Sequence, residues 1–466
     1  MHLPSVGPRG IPILGNVLDI PQEQPWVTFW DLAKQYGDVI SISMLGQTTV
    51  ILNSVSSVSD LLEKRSSIYS TRPDASISIS RTLGWIWSVI FMPYGDEWRL
   101  HRRLLSRFFQ HSAVQQWHPT QTREARRLLQ CMLDDNIDLR HVAKLSLCRS
   151  LLRISHGIPA QRGYSHLVLL FPLFRRIPAW CPGGYWQSKV GEWQRLARRS
   201  LELPFDVSQD AMADGDAHPS ILSKLLDTAA DSGDTASDLR VTEEAAKAIT
   251  AVTFIAGADT TIGTFQAFFL AMLLHPEAQK RVQEELDAIV GPERLPKLSD
   301  RPSLPYVNAV VKELLRWHTA GPLALPHSTT REDEYRGWRI PSGATVLVNV
   351  WGILHDPELY PDPDAFLPDR FIKDGKFNHD VFDPANIAFS SGRRVCPGKH
   401  FAEDSLFINI ASVLHVFDIM PAVDESGSPI PVEHKVTTGM VSTVEPFKYT
   451  VQPRSTAAEA LVRESE

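Results

Sequence analysis

The stretch of residues 243–274 constrains the fold more than any other. It reads as one long helix from Glu243 to Leu274, ended by His275-Pro276. Its uninterrupted apolar runs are too short to span a bilayer, and Lys247 and Asp259 break them further. A helix of this kind belongs inside a core. The chain has 466 residues, enough to bury about three quarters of its unfolded surface and to close over a bound cofactor. With 43% hydrophobic and 22% charged residues, wholesale disorder is excluded. A net charge of −7 argues against nucleic-acid binding. The four cysteines, Cys131, Cys148, Cys181 and Cys396, form no CxxC pair, so neither a structural zinc site nor a disulfide scaffold is expected. Such usage suits a reducing compartment. The opening Met1-His2-Leu3-Pro4 lacks the apolar core of a signal peptide, and no apolar run is long enough to predict a transmembrane helix.

The remaining pattern is helix-rich with a minor sheet. Gly7 to Gly15 is a Pro/Gly-rich extended arm, and Val39–Leu45, Gly46-Gln47 and Val50–Leu52 spell a hairpin. Residues 95–150 are helical in pattern, and residues 213–240 read as a flexible loop. Amphipathic helices follow at Glu277–Val290, Tyr306–Trp317 and Gly398–Phe417. Tyr335–Ile340 and Thr345–Val350 look like strands around Pro341-Ser342-Gly343, and residues 355–395 show little periodicity. There is no βαβ series.

Four motifs carry chemistry. In Phe389-Ser390-Ser391-Gly392-Arg393-Arg394-Val395-Cys396-Pro397-Gly398 a cysteine stands just before a helix whose N-terminus would stabilise a thiolate. Pro397 forces Cys396 out of helical geometry, Gly392 and Gly398 allow close approach of a flat ligand, and Arg394 suits an anionic edge of it. A lone cysteine is equally a structural residue in a turn. In Ala256-Gly257-Ala258-Asp259-Thr260-Thr261, polar side chains in an apolar helix are costly unless used. The Thr260 hydroxyl can bond the Ala256 carbonyl and loosen the helix beside Gly257, which by itself also describes a structural kink. Glu313 and Arg316 lie side by side on a helix, opposite its apolar stripe, so spacing alone makes them an exposed ion pair of little worth. Trp98 and Arg102 share one helix face, which alone reads as an exposed basic turn.

From about Gly7 to Gln452 the chain resembles the cytochrome P-450 family, most of all its fungal microsomal members of specialised metabolism. The Phe389–Gly398 segment fits every defining position of the family's heme-binding loop. The resemblance implies a mainly α fold with a minor β part, a triangular helix-rich domain with small sheets. Its parts would be an arm at 1–20, the heme-thiolate monooxygenase domain at 21–453 and a flexible tail at 454–466. It implies heme b with Cys396 as axial thiolate, flanked by Phe389 and Gly398. It makes Asp259 and Thr260 an acid–alcohol pair that relays protons, and Trp98, Arg102, Arg394 and His327 contacts of the propionates. Glu313, Arg316 and Arg370 (in Pro368-Asp369-Arg370-Phe371) would form a structural triad.

The implied reaction inserts one oxygen atom from O2 into a C–H or C=C bond of an apolar molecule, a terpenoid before an aromatic or indole compound. The pocket would be lined by Ile77–Ile90, Phe254–Thr260 and Gly321–Leu325. No GxGxxG opens a βαβ unit, so electrons are expected from a flavoprotein, NADPH-cytochrome P-450 reductase, docking near Arg393, Arg394 and Lys399. Two other readings stay open: a heme-thiolate isomerase or peroxide-driven enzyme, and a heme-binding relative without turnover. A monomer is expected. Family members sit on the cytosolic face of the endoplasmic reticulum through a helix ahead of the arm. This sequence begins almost at the arm, so without that helix the expected place is the cytoplasm. The stretch from Gly157 to Pro178, where the helices that roof the pocket belong, is shorter than the resemblance leads one to expect.

Overall fold

The computed structural model describes residues 7–133, 139–158, 185–231 and 241–465. The principal helices are α1 (Asp96–Phe109), α2 (His118–Met132), α3 (Leu139–His156), α4 (Tyr185–Ala213), α5 (Ile221–Asp231), α6 (Glu243–Leu274), α7 (Pro276–Ile289), α8 (Pro305–Trp317), α9 (Lys399–Val416) and α10 (Thr456–Glu464). The sequence places α6 correctly at both ends. The Thr242 side chain caps it by accepting from the Ala245 N–H at 3.1 Å, and Glu243 and Glu244 meet the positive end of the helix. At the other end His275 leaves helical geometry ahead of Pro276. By length and composition α6 would pass for a membrane span, but most of it is buried in protein, with α1, α3, α4, α5, α8 and α9 packed around it. A side chain at Gly257 would come within 3.0 Å of Leu151, so that glycine sets how closely α6 approaches α3.

A four-stranded sheet lies beside this helical body. Its strands are β1 (Val39–Met44), β2 (Gln47–Leu52), β3 (His327–Ser328) and, after the separate pair β4 (Asp333–Tyr335) and β5 (Trp338–Ile340), β6 (Thr345–Val348). The order is β1-β2-β6-β3. The predicted hairpin is there, with Ile40 opposite Ile51, and β2 runs parallel to β6 with Val50 opposite Val346. Strand β3 pairs antiparallel with β6, which fixes His327 on the edge strand opposite Val346.

Three expectations are corrected. Residues 335–340 are not one strand but the end of β4, a turn at Arg336-Gly337 and β5, with φ of +51° and +80° at the turn. Aromatic and branched residues on both sides hid that turn, and Pro341-Ser342-Gly343 connects β5 to β6 without pairing them. Residues 213–240 are not all loop: α5 forms within them because Ile221, Leu222 and Leu225 share a face that becomes fully buried. The tail at 454–466 is largely helix α10, with Val462 completely buried and the Arg454 guanidinium paired with Asp287. Residues 355–395 hold only short elements, as the lack of periodicity implies. The short roof stretch lies mostly outside the described residues.

Candidate functional site

The cysteine loop is built by backbone geometry. The Cys396 N–H donates to the Phe389 carbonyl at 2.8 Å and closes the loop. Ser390 and Gly392 both take left-handed conformations, at φ +62° and +64°. A side chain at Gly392 would collide with the Leu62 carbonyl at 1.9 Å, so only glycine fits there. Cys396 is a free thiol at the start of α9. Burial pushes the thiol up, while the Gly398 N–H, Arg102 and Lys399 pull it back toward the thiolate.

A group of guanidiniums surrounds the ring of Trp98, which is buried on α1. Arg394 lies 4.5 Å and Arg102 5.8 Å from its centre. Arg394 donates to the carbonyls of Ser70 and Met92 at 2.8 Å and of Val89 at 3.2 Å, using three of its five N–H bonds. Burial first, then the neighbouring charges of Arg72 and Arg102, bring Arg394 down to about 8. Arg72 is buried as well and is brought down to about 10 by burial. It donates to Ile90 at 2.9 Å, Leu325 at 3.0 Å and Pro326 at 2.8 Å. Two of the three predicted pocket segments are thus tied together by one side chain. Among the described residues no carboxylate pairs with Arg72, Arg102 or Arg394.

His327 completes this face. Its Nδ1–H donates to the Tyr69 carbonyl at 2.8 Å, and its buried Nε2 has no partner. Burial, followed by the charge of Arg72, lowers its pKa to about 3, so the imidazole is neutral here. A carboxylate placed at Nε2 would oppose that shift. An unbalanced set of buried cations, an orphaned imidazole nitrogen and a soft sulfur ligand together suit a planar metal cofactor with acidic substituents.

On α6 the Thr260 hydroxyl donates to the Ala256 carbonyl at 2.8 Å, the bond expected from the sequence. Thr250, Thr253 and Thr264 make the same kind of bond to their own helix, and α6 continues unbroken past Gly257. The bond therefore does not single out Thr260 or interrupt the helix. Asp259 is half-buried on the side that faces Cys148 of α3, whose thiol is pushed up to about 12, mainly by burial.

The Glu313–Arg316 pair departs most from the reading by spacing, because both residues are completely buried. Arg316 grips both Glu313 oxygens at 2.8 Å and donates to the carbonyls of Pro363 at 2.7 Å and Ala365 at 2.9 Å. Arg370 reaches the same carboxylate at 3.2 Å, which also accepts the Leu367 N–H at 2.7 Å. The face opposite the apolar stripe is covered by the 354–370 segment, which this network holds down. On the outer side Arg393 is exposed and bonded to the Tyr94 hydroxyl, while Arg394 is buried, so Arg394 drops out of the predicted docking face. Sequence reasoning missed Arg72 and also His101, a buried neighbour on α1 with an unpartnered Nδ1 and a pKa lowered to about 4 by burial.

Comparison with known proteins agrees with this geometry. The cytochrome P450 family profile matches residues 4–144 and 165–451. The chain is 37% identical to cytochrome P450 monooxygenase COX2 of Coprinopsis cinerea, over 98% of this chain and 91% of that protein. It is 38% identical to cytochrome P450 monooxygenase claR of Ampulloclitocybe clavipes, over 98% and 88%. It is 37% identical to cytochrome P450 monooxygenase ple1 of Rhodocybe pseudopiperita, over 99% and 91%. The chain belongs to the cytochrome P450 family, and is a monooxygenase whose family cofactor is heme with a cysteine thiolate as axial ligand.

Proposed function

We propose that this chain binds heme b through Cys396 and hydroxylates or epoxidises an apolar small molecule, a terpenoid in fungal specialised metabolism. The observation that carries the site assignment is the group of Arg72, Arg102 and Arg394 beside Cys396, with no carboxylate among the described residues to balance it. When bound, heme supplies the reductive activation of O2 and the transfer of one oxygen atom to carbon, the other leaving as water. Trp98, Arg102, Arg394 and His327 would hold its propionates, and Phe389 and Gly398 would shape the loop around the sulfur. Burial holds the Cys396 thiol up, and the Gly398 N–H and Arg102 pull it back toward the thiolate. Glu313, Arg316 and Arg370 keep the loop side rigid. Asp259 and Thr260 would move protons at the oxygen site, which requires the Thr260 hydroxyl to exchange its Ala256 bond for one to a bound molecule. Electrons would come from NADPH-cytochrome P-450 reductase docking on the exposed side that carries Arg393 and Lys399. The protein would act as a monomer at the cytosolic face of the endoplasmic reticulum.

The test is turnover with that reductase, NADPH and a panel of terpenoid and indole compounds. An oxygenated product from a terpenoid, formed in step with NADPH consumption, is the expected result. In Thr260→Val consumption should outrun product. Heme binding without any product across the panel would favour a relative without turnover. Product formed only with peroxide would favour the peroxide-driven reading.

A further inference from the structure

Among the described residues of the three predicted pocket segments, one buried side-chain polar atom is left without a partner, the Trp87 Nε1–H. The indole ring is half-buried, yet that nitrogen is shielded from water. An indole nitrogen only donates, so no exchange of roles with a neighbour satisfies it. A buried donor without an acceptor is costly, and folded proteins keep few of them. A phenyl ring would supply apolar area at the same place with no group to satisfy.

The backbone on either side fixes where the ring stands. On one side Gly84, at φ +80°, lies against α4: a side chain there would stand 3.4 Å from Ala197, and the Gln194 side chain donates to the Thr82 carbonyl at 2.9 Å. On the other side the carbonyls of Val89, Ile90 and Met92 are held by Arg394 and Arg72. Between them the Trp85 N–H donates to the Ser80 carbonyl at 2.7 Å and the Ser88 N–H to the Trp85 carbonyl at 3.0 Å, so the stretch is braced. The Trp85 ring flanks that of Trp87 at 5.1 Å. Trp87 therefore stands between α4, which packs on α6, and the arginines beside Cys396.

We propose that the Trp87 N–H receives an oxygen of the substrate, so that the terpenoid taken by this chain already carries a hydroxyl or carbonyl group. The bond requires the half-open ring to turn its N–H toward the bound molecule. The reaction then follows a step that installs oxygen on the hydrocarbon skeleton, and the bond helps to fix which carbon faces the cofactor. A site that hydrogen-bonds its substrate discriminates strongly against the analogue that lacks the group. This inference rests on the terpenoid reading above and narrows it.

The experiment is spectral titration of the heme-loaded full chain with matched pairs, each a sesquiterpene or diterpene hydrocarbon and an alcohol or ketone of the same skeleton. The wild type, Trp87→Phe, Trp87→His and Trp85→Phe are compared. The wild type should bind the oxygenated member of at least one pair more tightly, by about tenfold or more. Trp87→Phe should lose that preference with hydrocarbon binding little changed, Trp87→His should regain part of it through its ring N–H, and Trp85→Phe should keep it. A merely structural tryptophan predicts instead that both members of a pair weaken together. A wild type that binds each hydrocarbon as tightly as its alcohol or ketone, or a preference that survives in Trp87→Phe, would overturn the role of Trp87 and leave the terpenoid reading standing. The wild-type comparison decides this even where a variant does not fold. No binding by any pair would overturn the terpenoid reading and its narrowing together. The reduced, CO-bound spectrum of the same samples reads the heme assignment separately.

Discussion

Two arginine-rich regions of this molecule look alike in sequence and differ in charge balance. Around Glu313 the network is closed: one buried carboxylate answers Arg316 and Arg370, and backbone carbonyls take the remaining donors. Around Trp98 it is open: Arg72, Arg102 and Arg394 crowd together with no carboxylate among the described residues, and a histidine nitrogen is left unpartnered. A closed network is part of the fold. An open one destabilises the folded chain until an anion arrives, and so marks a ligand site.

The comparison breaks first at Glu313. Glu313→Ala leaves two buried guanidiniums facing each other, a loss of about 3–5 kcal/mol against a total stability of about 5–15 kcal/mol. Most of the protein should be insoluble, and the soluble fraction should show a greatly lowered thermal midpoint. An unchanged midpoint would mean that the network is not the staple described. Arg102→Leu should behave in the opposite sense. In the cofactor-free chain it removes like-charge crowding at Arg394, so the thermal midpoint should hold or rise. Hemin titration should nevertheless show binding weakened roughly 10- to 100-fold, the worth of one charge-assisted bond of about 1.5–3 kcal/mol. Equal loss of stability and binding would make Arg102 another structural residue.

The smallest effect is in pH. Burial lowers His156, His318, His327 and His355 to about 3 each, against the usual 6.5. The unfolded chain takes up protons near 6.5 that the folded chain refuses. The stability these groups contribute is therefore complete above that pH and is lost as pH falls toward 3, at about 1.4 kcal/mol per unit for each histidine. Thermal scans between pH 7 and 5 should show this decline in the cofactor-free chain. With hemin bound the slope should be shallower, because a propionate beside His327 would favour its charged form. An identical slope in both states would remove His327 from the cofactor contacts.

Much of this was legible in the sequence, for physical reasons that particular residues show. Helix α6 was readable because Thr242 and Pro276 mark its ends locally. The Cys396 loop was readable because Gly392 and Pro397 answer backbone constraints that few other residues satisfy. The burial of Glu313 was not, since periodicity reports one covered face and cannot see that residues 354–370 return to cover the other. Arg72 escaped because its partners are carbonyls of Ile90, Leu325 and Pro326, and carbonyls leave no trace in residue identity. The helix at 456–464 escaped because its short apolar face, Ala458, Leu461 and Val462, finds its partner surface on helices distant in sequence.

The central claim is that the open cationic group and the Cys396 thiol form one heme site. It is tested most directly by the reduced, CO-bound absorption spectrum of the purified chain beside Cys396→Ala. The account predicts a long-wavelength band of the thiolate type in the wild type and its loss in the variant, with the fold retained. A wild type that takes up no heme, or a thiolate-type band that survives in Cys396→Ala, would contradict it.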